Sequence, residues 1–549
     1  MLERLLEDWL DNATERSYQA PFTQMLVAQG HTVIHSTRHA PIEHGKDVIS
    51  TGPDGLLHCY QLKGNPGSKL TSRGLRAIEP QLNELTDYAV AIAGLEDRRH
   101  SSYLVTNGEI EEEAWLGIRQ FNQAKVNAGY PDRQLEVISR GQLLEWSQDL
   151  GADLWPSELQ SVRQLLTFHV GEGTEAFDWD TFADLLAGSL GLGTAREEWG
   201  SAQLTRQVSS SALLTALVLQ RHIEAGNHVA IIEGWTQFAV AAVGATTRYD
   251  RSYSRNASKS VGLALSAIRD SLIDLAVEII DSEQYLEGNA LVDSIFRRGR
   301  MTMLSGLLSV LWMWCERDGW PAELNKDDVE TALEDLRGGL ELWGEGAVPQ
   351  FLCSYWAFRR IRAGVEPDGL LVAVLAALTQ TDEEYRPRPL PSPYWSFDEV
   401  MRARLAPLLG DLQNPLRREG SSAASFFAHG LMHLLVRTGS RRPTKALWPD
   451  YTRHSHAVFR PEFEWQYCLP RAHDGGYEIR QPPLRSSWSD VASEAADVSA
   501  GGIPEALRGL PILLALWTIF HPARATPDAV RFLGYRHNPV WMIGDEPKS

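Results

Sequence analysis

Three short β-leaning segments near the N-terminus constrain the fold more than any other feature of the sequence. They read HTVIHS, KDVIST and LLHCYQLK, and the turn sequence GPDG at Gly52–Gly55 separates the last two. Pro, Asp and Gly at such a position favour a tight turn between paired strands. We therefore expect a sheet that contains a hairpin, followed along the chain by further regular elements.

The rest of the first 150 residues alternates between helical and strand patterns. Apolar residues at helical spacing over residues 2–30 predict a first helix that ends at Gly30. After the hairpin we predict, in order, a helix around residues 77–95, a strand at SSYLVTNG, a helix at EIEEEAWLGIRQFNQAKVNAG, a strand at QLEVIS and a helix at RGQLLEWSQDL. Residues 1–155 are thus predicted to form an α/β domain with an αβββαβ core.

The pattern changes from about residue 170, where long segments carry apolar residues at i, i+3 and i+4. We predict a large, mainly α-helical C-terminal region. Residues 170–440 are interpreted as a helical sensor or regulatory domain. Residues 441–549 are interpreted as a C-terminal subdomain, mixed or helical.

Composition limits where the protein works and what it contacts. A formal net charge of −19 argues against a surface that binds nucleic acid everywhere, so any such contact must use a local basic patch. The N-terminus is acidic and amphipathic, unlike a signal peptide, and we find no uncharged apolar run of about 20 residues. Four widely spaced cysteines indicate buried free thiols in a reducing compartment: Cys59, Cys315, Cys353 and Cys468. We predict a cytoplasmic protein without membrane contact.

Polar residues interrupt the second and third β-leaning segments. Asp47 lies on the second, and Gln61 and Lys63 lie on the third. Residues two apart on a strand point to the same face, so Gln61 and Lys63 are neighbours there. If the two strands pair as a hairpin, Asp47 reaches the same edge, and an acid, an amide and a lysine converge.

Such a cluster suits phosphodiester hydrolysis. A hard divalent cation prefers oxygen ligands, which the Asp47 carboxylate, the Gln61 side-chain oxygen and the backbone carbonyl of Leu62 can supply. Glu15, which we place late in the first helix, is the best candidate for an additional ligand. The cation would activate a water molecule, and Lys63 would orient that water or neutralise charge in the transition state.

At these residues the sequence resembles the restriction-endonuclease-like nucleases, the PD-(D/E)xK superfamily. Its signature is an Asp, a spacer with a turn, and then Glu or Gln, any residue and Lys. The QLK form is similar to the Mrr-type branch, as are the stretches YLVTNGEIEEEAW and ISRGQLLEW. The resemblance covers about residues 10–150. The stretch IEHGKD departs from it, because the segment before the Asp is usually richer in Gly.

The resemblance implies a metal-dependent endonuclease that uses Mg²⁺, with Mn²⁺ as a substitute, and that hydrolyses DNA, expected to be double-stranded. Nucleases of this kind fused to large domains resemble bacterial restriction or anti-phage defence effectors, with the helical module as regulator. The alternative is a catalytically weak nuclease fold that binds DNA or docks within a multi-protein defence complex. Homo-oligomerisation is left open.

The segment KGNPGSKLTSRGLR follows the hairpin and is the most basic short stretch of the α/β domain. We interpret it as a mobile loop in which Lys69, Arg73 and Arg76 contact the nucleic-acid backbone. The alternative is a solvated loop without a ligand.

Two further patterns bear on function. His429 and His433 are spaced i, i+4, which suits zinc, but the apolar setting SFFAHGLMHLLV and the lack of the HExxH glutamate favour a buried pair. The sequence contains no G-x-x-x-x-G-K-[ST] phosphate loop. If nucleotide hydrolysis drives the protein, a separate NTPase partner must supply it.

Overall fold

The computed structural model of the chain describes the following residues: 2–36, 44–92, 94–95, 98–151, 159–192, 199–249, 254–282, 291–362, 368–381, 390–406, 424–437, 441–470, 476–497 and 501–537. The chain divides into two compact units, residues 1–271 and 272–549. The predicted domain limit at residue 155 falls inside the first unit, and the limit at 440 falls inside the second.

The first unit begins with an α/β part and continues as helices. Its elements are α1 (Leu2–Asn12), α2 (Glu15–Ala28), β1 (Thr32–Ser36), β2 (Val48–Thr51), β3 (Leu57–Lys63), β4 (Lys69–Leu70), α3 (Ser72–Asp87), β5 (His100–Thr106), β6 (Glu109–Ile110), α4 (Glu112–Asn127), β7 (Leu135–Ile138), α5 (Arg140–Gly151), α6 (Leu159–Val170), α7 (Trp179–Ser189), α8 (Ser201–Glu224), α9 (His228–Tyr249) and α10 (Ser254–Asp281), whose residues from Leu272 on belong to the second unit. The predicted α/β class of the N-terminal region is confirmed, and so is the helical character of the region that follows.

A five-stranded mixed sheet forms the centre of the α/β part, in the order β1-β2-β3-β5-β7. Strands β1, β2 and β3 are antiparallel neighbours, whereas β3, β5 and β7 run parallel. The parallel pairs are joined through α3 and α4, as crossover connections require. These helices bury an apolar core against one sheet face, to which Leu57 and Cys59 contribute.

The turn between β2 and β3 forms as its residues predict. The N–H of Gly55 donates to the carbonyl of Gly52 at 2.9 Å, and Gly55 has φ +78°, in the left-handed region that favours glycine. Asp54 Oδ1 accepts from the N–H of Leu56 at 2.9 Å. This turn sets a register in which Val48 faces Tyr60.

The predicted single helix over residues 2–30 is wrong, because two helices occupy this stretch. Thr14 is extended, and its hydroxyl accepts from the N–H of Ser17, so it caps a new helix that starts at Glu15. Glu15 therefore begins the second helix rather than lying late in the first. The predicted helix over 77–95 is likewise displaced and spans Ser72–Asp87, because Thr71 caps its start.

Helix α2 lies between the sheet and the helices that follow. It contacts β1 and β3 on one side and α5 and α8 on the other. The ring of Phe22 meets Tyr60 of the sheet edge-on, with centroids 5.3 Å apart. On the same helix, Gln24 donates to the carbonyl of Ser260 at 3.1 Å. Helix α2 therefore packs against both the sheet and α8.

Among the described residues, α9 is long and apolar enough to cross a membrane. Glu233 and Arg248 interrupt its apolar sequence. The apolar 18-residue window of this helix is 89% buried in the protein. Helices α7 and α8 pack against it. It has the environment of a core helix.

The second unit is mainly helical and contains a small sheet. Its elements are α11 (Leu291–Asp318), α12 (Lys326–Arg337), α13 (Val348–Ile361), α14 (Asp368–Leu378), α15 (Phe397–Leu405), β8 (Ala424–Ser425), α16 (Ala428–Arg437), α17 (Arg441–Ala446), α18 (Trp448–Arg453), β9 (Ser455–Arg460), β10 (Gly476–Arg480), α19 (Trp488–Ala496), α20 (Glu505–Arg508), α21 (Pro511–Phe520) and α22 (Pro527–His537). Helix α16 packs against α19 and α22. All four cysteines of the chain are buried free thiols, as predicted.

Candidate functional site

Asp47, Gln61 and Lys63 meet at one end of the β2–β3 hairpin. Asp47 directly precedes β2, and its N–H donates to the carbonyl of Tyr60 at 2.9 Å, so it lies opposite the end of β3. Lys63 is the last residue of β3 and pairs with Thr106, the last residue of β5. The three side chains therefore gather at the carboxyl edge of the parallel strands, where α/β sheets commonly bind ligands.

One oxygen of Asp47 holds the end of β3. Oδ2 accepts from Gln61 Nε2 at 2.5 Å and from the backbone N–H of Leu62 at 2.6 Å. Asp47 is 7% exposed and Gln61 is 2% exposed. The Asp47 carboxylate and the Gln61 amide therefore contact each other as a nearly buried pair at the sheet edge.

Lys63 and Glu15 form the open side of this site. Lys63 Nζ lies 3.5 Å from Glu15 Oε2, and the two side chains are 15% and 30% exposed. Gly64 makes this approach feasible, because a Cβ there would lie 2.4 Å from the N of Glu15. The glycine after the QLK stretch thus lets the start of α2 touch the end of β3.

Tyr18, which the sequence reasoning missed, is buried near Glu15 and Asp47. Its hydroxyl donates to the carbonyl of Val105 at 3.3 Å. Burial raises the pKa of Tyr18 well above its usual value, and the negative charges of Glu15 and Asp47 add to the shift. The available signal was its position three residues after Glu15 on one helix face.

The segment before Asp47 packs closely against α3. His44 and Gly45 have φ +46° and +72°, and a Cβ on Gly45 would lie 2.4 Å from the carbonyl oxygen of Gln81. The buried Lys46 donates to the carbonyls of His44 and Glu84 at 3.2 and 3.3 Å, and burial lowers its pKa. The Lys of IEHGKD therefore ties the hairpin to α3 rather than reaching a substrate.

Asn107, a second residue that was missed, fastens three chain segments together beside the site. Its Oδ1 accepts from the N–H of Asn65 at 2.8 Å, and its Nδ2 donates to the carbonyls of Leu10 and Ala13 at 2.7 and 2.8 Å. It is 1% exposed. It thereby positions the turn before Glu15 relative to the segment after Lys63.

We expect Asn107→Ala to loosen the start of α2. The change leaves one N–H and two carbonyls buried without their partner, at roughly 1 to 3 kcal/mol each. Amide hydrogen exchange in α2 should accelerate on the order of 100-fold or more. Asn12→Ala is the control, because Asn12 is exposed and bonds only within α1. Equal exchange rates in the two variants would contradict a positioning role for Asn107.

The prediction that Lys69, Arg73 and Arg76 lie in a mobile loop is wrong, because all three lie in regular elements. Lys69 belongs to β4 and pairs with Glu109 at 2.7 Å. Arg73 and Arg76 lie in the first two turns of α3 and are exposed. The cap at Thr71 starts the helix early enough to include both arginines.

No protein-family model, curated protein or solved structure matches this chain. Carboxylates, an amide oxygen, a backbone carbonyl and an ammonium group near one sheet edge can bind a hard cation and stabilise an anionic transition state.

Proposed function

We propose that the chain is a Mg²⁺-dependent nuclease that hydrolyses phosphodiester bonds in DNA, as a regulated effector of bacterial restriction or anti-phage defence. The observation that carries the proposal is the convergence of Asp47, Gln61 and Lys63 with Glu15 at one end of the β2–β3 hairpin. The defence role rests on the resemblance to Mrr-type nucleases.

The oxygen donors fit a divalent cation in number and kind. Asp47 Oδ1, the carbonyl of Leu62 and the carboxylate of Glu15 would hold it, together with Gln61 Oε1 once the amide turns over. At present the amide N–H of Gln61 faces Asp47 at 2.5 Å. Two oxygens that close would repel each other without a cation between them, so the cation and the rotated amide stabilise each other.

Mg²⁺ supplies an activated water and polarises the phosphoryl oxygen when bound. Side chains of the protein would supply the charge stabilisation and the positioning. Lys63 places a positive charge where the phosphorane develops negative charge, and its contact with Glu15 holds the ammonium at the open side of the site. Asp47 keeps the end of β3 in register through the N–H of Leu62.

DNA would approach from the side on which Lys63 and Glu15 are exposed. Arg73 and Arg76 project from α3, which packs on the sheet face that carries Gln61. Lys69 is already neutralised by Glu109, so the two arginines are the stronger candidates for phosphate contacts. Such contacts give affinity without base information.

We expect the salt dependence of DNA binding to fall when the arginines are removed. Each lost phosphate contact should flatten the slope of log K against log salt by about 0.9, so the double variant Arg73→Ala/Arg76→Ala should lose about 1.8, and addition of Lys69→Ala up to about 2.7. Filter binding or fluorescence anisotropy at several salt concentrations measures the slope.

Arg99→Ala is the matched control for this measurement. Arg99 is exposed and pairs with Asp132. It precedes the start of β5, whereas Thr106, which pairs with Lys63, is at the end of β5. Arg99 therefore lies at the opposite end of the strand from the proposed site. Its loss should leave the slope unchanged. If the double variant keeps the wild-type slope, the DNA groove lies elsewhere on the protein.

A contact between two helices links the helical region to the site. Helix α8 packs against α2, and α2 begins at Glu15. Any shift of α8 relative to the sheet would therefore move Glu15 relative to Lys63. We propose that the helices after the sheet control cleavage through α2.

A catalytically weak docking protein is the second candidate. Gln61 bonds to Asp47, and both are almost fully buried, which favours a site closed by its own hydrogen bonds. Incubating the full-length protein with plasmid and linear DNA, with Mg²⁺ or Mn²⁺ and with or without EDTA, separates the two candidates. Metal-dependent cutting supports the nuclease, whereas DNA binding without cutting under all these conditions supports the docking protein.

A further inference from the structure

A histidine pair and a distant glutamate meet in the second unit. His429 and His433 lie one turn apart on α16, with ring centroids 4.2 Å apart, and are 5% and 1% exposed. Glu494 of α19 brings Oε2 to 3.3 Å from the Nε2 atom of each histidine. All three ligand atoms lie within 4.8 Å of one another.

These distances are compatible with a shared metal ion as well as with hydrogen bonds from the histidines to Glu494. Ligand atoms at about 2.0 to 2.1 Å from a tetrahedral ion lie about 3.3 Å apart. A charge-assisted hydrogen bond between nitrogen and carboxylate is shorter, at about 2.7 to 2.9 Å. Two equal separations of 3.3 Å therefore match the edges of a coordination tetrahedron.

The partners of the other ring nitrogens fix which lone pairs are available. His429 Nδ1 lies 2.6 Å from the Tyr451 hydroxyl, which can accept a hydrogen bond from Nδ1–H and so leave a lone pair on Nε2. His433 is buried, and its Nε2 faces Glu494. Its Nδ1 lies 3.3 Å from Arg531, whose guanidinium also holds Asp528 at 2.5 Å. Because a guanidinium only donates, Nδ1 of His433 accepts from Arg531 in the metal-free protein, and Nε2 carries the proton that faces Glu494. Metal binding at Nε2 would move this proton to Nδ1, and Arg531 would keep Asp528 as its partner.

The cluster opens into a cavity of about 200 Å³. Three arginines line it, together with acidic residues: Arg460, Arg480, Arg531, Glu494, Asp497 and Asp528. Arg480 Nη1 lies 3.1 Å from His429 Nε2 and therefore stands beside the lone pair that a metal ion would take. With a divalent ion in place the lining would carry excess positive charge, which favours an anionic ligand.

We propose that His429, His433 and Glu494 bind a transition-metal ion of the Zn²⁺ class. The ion keeps one position open toward the arginine-lined cavity, where an anion such as a phosphate binds. This site is separate from the oxygen donors around Asp47. Imidazole nitrogens select Zn²⁺ or Co²⁺, whereas Mg²⁺ prefers carboxylate and carbonyl oxygens.

The test uses the metal-free full-length protein titrated with Co²⁺ while excess Mg²⁺ occupies oxygen-only sites. We expect the intense visible absorption of four-coordinate Co²⁺ to saturate at one ion per chain and to disappear when Zn²⁺ is added. His429→Asn, His433→Asn and Glu494→Gln should each weaken binding by more than the roughly 10- to 100-fold expected when a supporting partner is lost. Tyr451→Phe, which removes such a partner, should fall within that range.

Two control variants separate a metal site from a network of ion pairs. Glu478→Gln alters a carboxylate that bonds Arg460 and Arg480 and should leave Co²⁺ binding unchanged. Arg480→Gln removes the competing cation and should preserve or tighten binding. Glu494 is 41% exposed, so Glu494→Gln should fold even if a histidine variant does not. Absence of four-coordinate absorption in the wild type, or its persistence in Glu494→Gln, would overturn the proposal.

Inorganic phosphate tests the open position. Added to the Co²⁺-loaded protein, phosphate should shift the visible bands, and Arg480→Gln should weaken that shift while Co²⁺ stays bound. Unchanged bands at high phosphate concentration would show that the open position does not take an anion. All these readouts are spectroscopic and do not depend on nuclease activity.

Discussion

Asp47→Asn and Lys63→Met are each expected to lower DNA cleavage on the order of 10² to 10³-fold, the loss typical of removing one charged group that stabilises a transition state. Asn is chosen because its oxygen can still accept from the N–H of Leu62, the bond that Asp47 makes at 2.6 Å. Met keeps the length of the Lys63 side chain without its charge. Single-turnover cleavage with Mg²⁺ and with Mn²⁺ measures the effect.

Asp54→Asn is the matched control for this experiment. Asp54 lies at the opposite end of the same hairpin, where it accepts from the N–H of Leu56. Its substitution should leave cleavage near the wild-type rate. DNA binding should persist in the Asp47 and Lys63 variants, because the phosphate contacts proposed for α3 are intact. Full cleavage by either variant would place the chemistry elsewhere in the chain.

The local signals in the sequence were sufficient for the hairpin and its polar residues. The turn at Gly52–Gly55 fixes the register, and the register alone brings Asp47 opposite the end of β3. The order of helices and strands along the chain followed from segment lengths and periodicity, apart from the break at Thr14 and the short strands β4 and β6. These features depend on residues close together in the chain, which is why the sequence revealed them.

Contacts between distant segments were not available from periodicity. The apolar spacing of residues 2–30 continues through the break at Thr14, so only the capping side chain marks where one helix ends and another begins. Asn107 bonds to carbonyls more than 90 positions earlier. Glu494 reaches His433 across 61 positions, so the motif at His429–His433 read as a buried pair without a third ligand.

The predicted limit at residue 155 falls within one compact unit for a related reason. Helix α2 is apolar on more than one side, with buried residues that include Phe22, Met25 and Leu26. One side covers the sheet and the other meets α8. A helix that is buried on all sides belongs to the interior of a larger unit. A domain limit at residue 155 would separate α2 and the sheet from α8, which covers one side of α2.

Gln61→Glu is expected to make the stability of the protein depend on Mg²⁺ and on pH. The new carboxylate would face Asp47 Oδ2 where the Gln61 amide now donates at 2.5 Å. Two buried carboxylates in contact raise the pKa of the pair in the folded state above the unfolded values near about 4. A raised pKa means that the variant is most stable at low pH and loses stability as the pH rises through the folded pKa. At about pH 8 without metal the cost should be roughly 3 to 5 kcal/mol.

A cation shared by the two carboxylates removes this cost, so Mg²⁺ should raise the melting temperature of Gln61→Glu far more than that of the wild type. The recoverable shift is roughly 6 to 12 °C if the first unit unfolds as one body, and acidification to about pH 5 should give part of it without metal. Gln24→Glu is the control, because Gln24 is also almost fully buried but donates to the carbonyl of Ser260 rather than to Asp47. It should lose stability without rescue by Mg²⁺. If Mg²⁺ stabilises both variants equally, or neither, Asp47 and residue 61 do not share a cation.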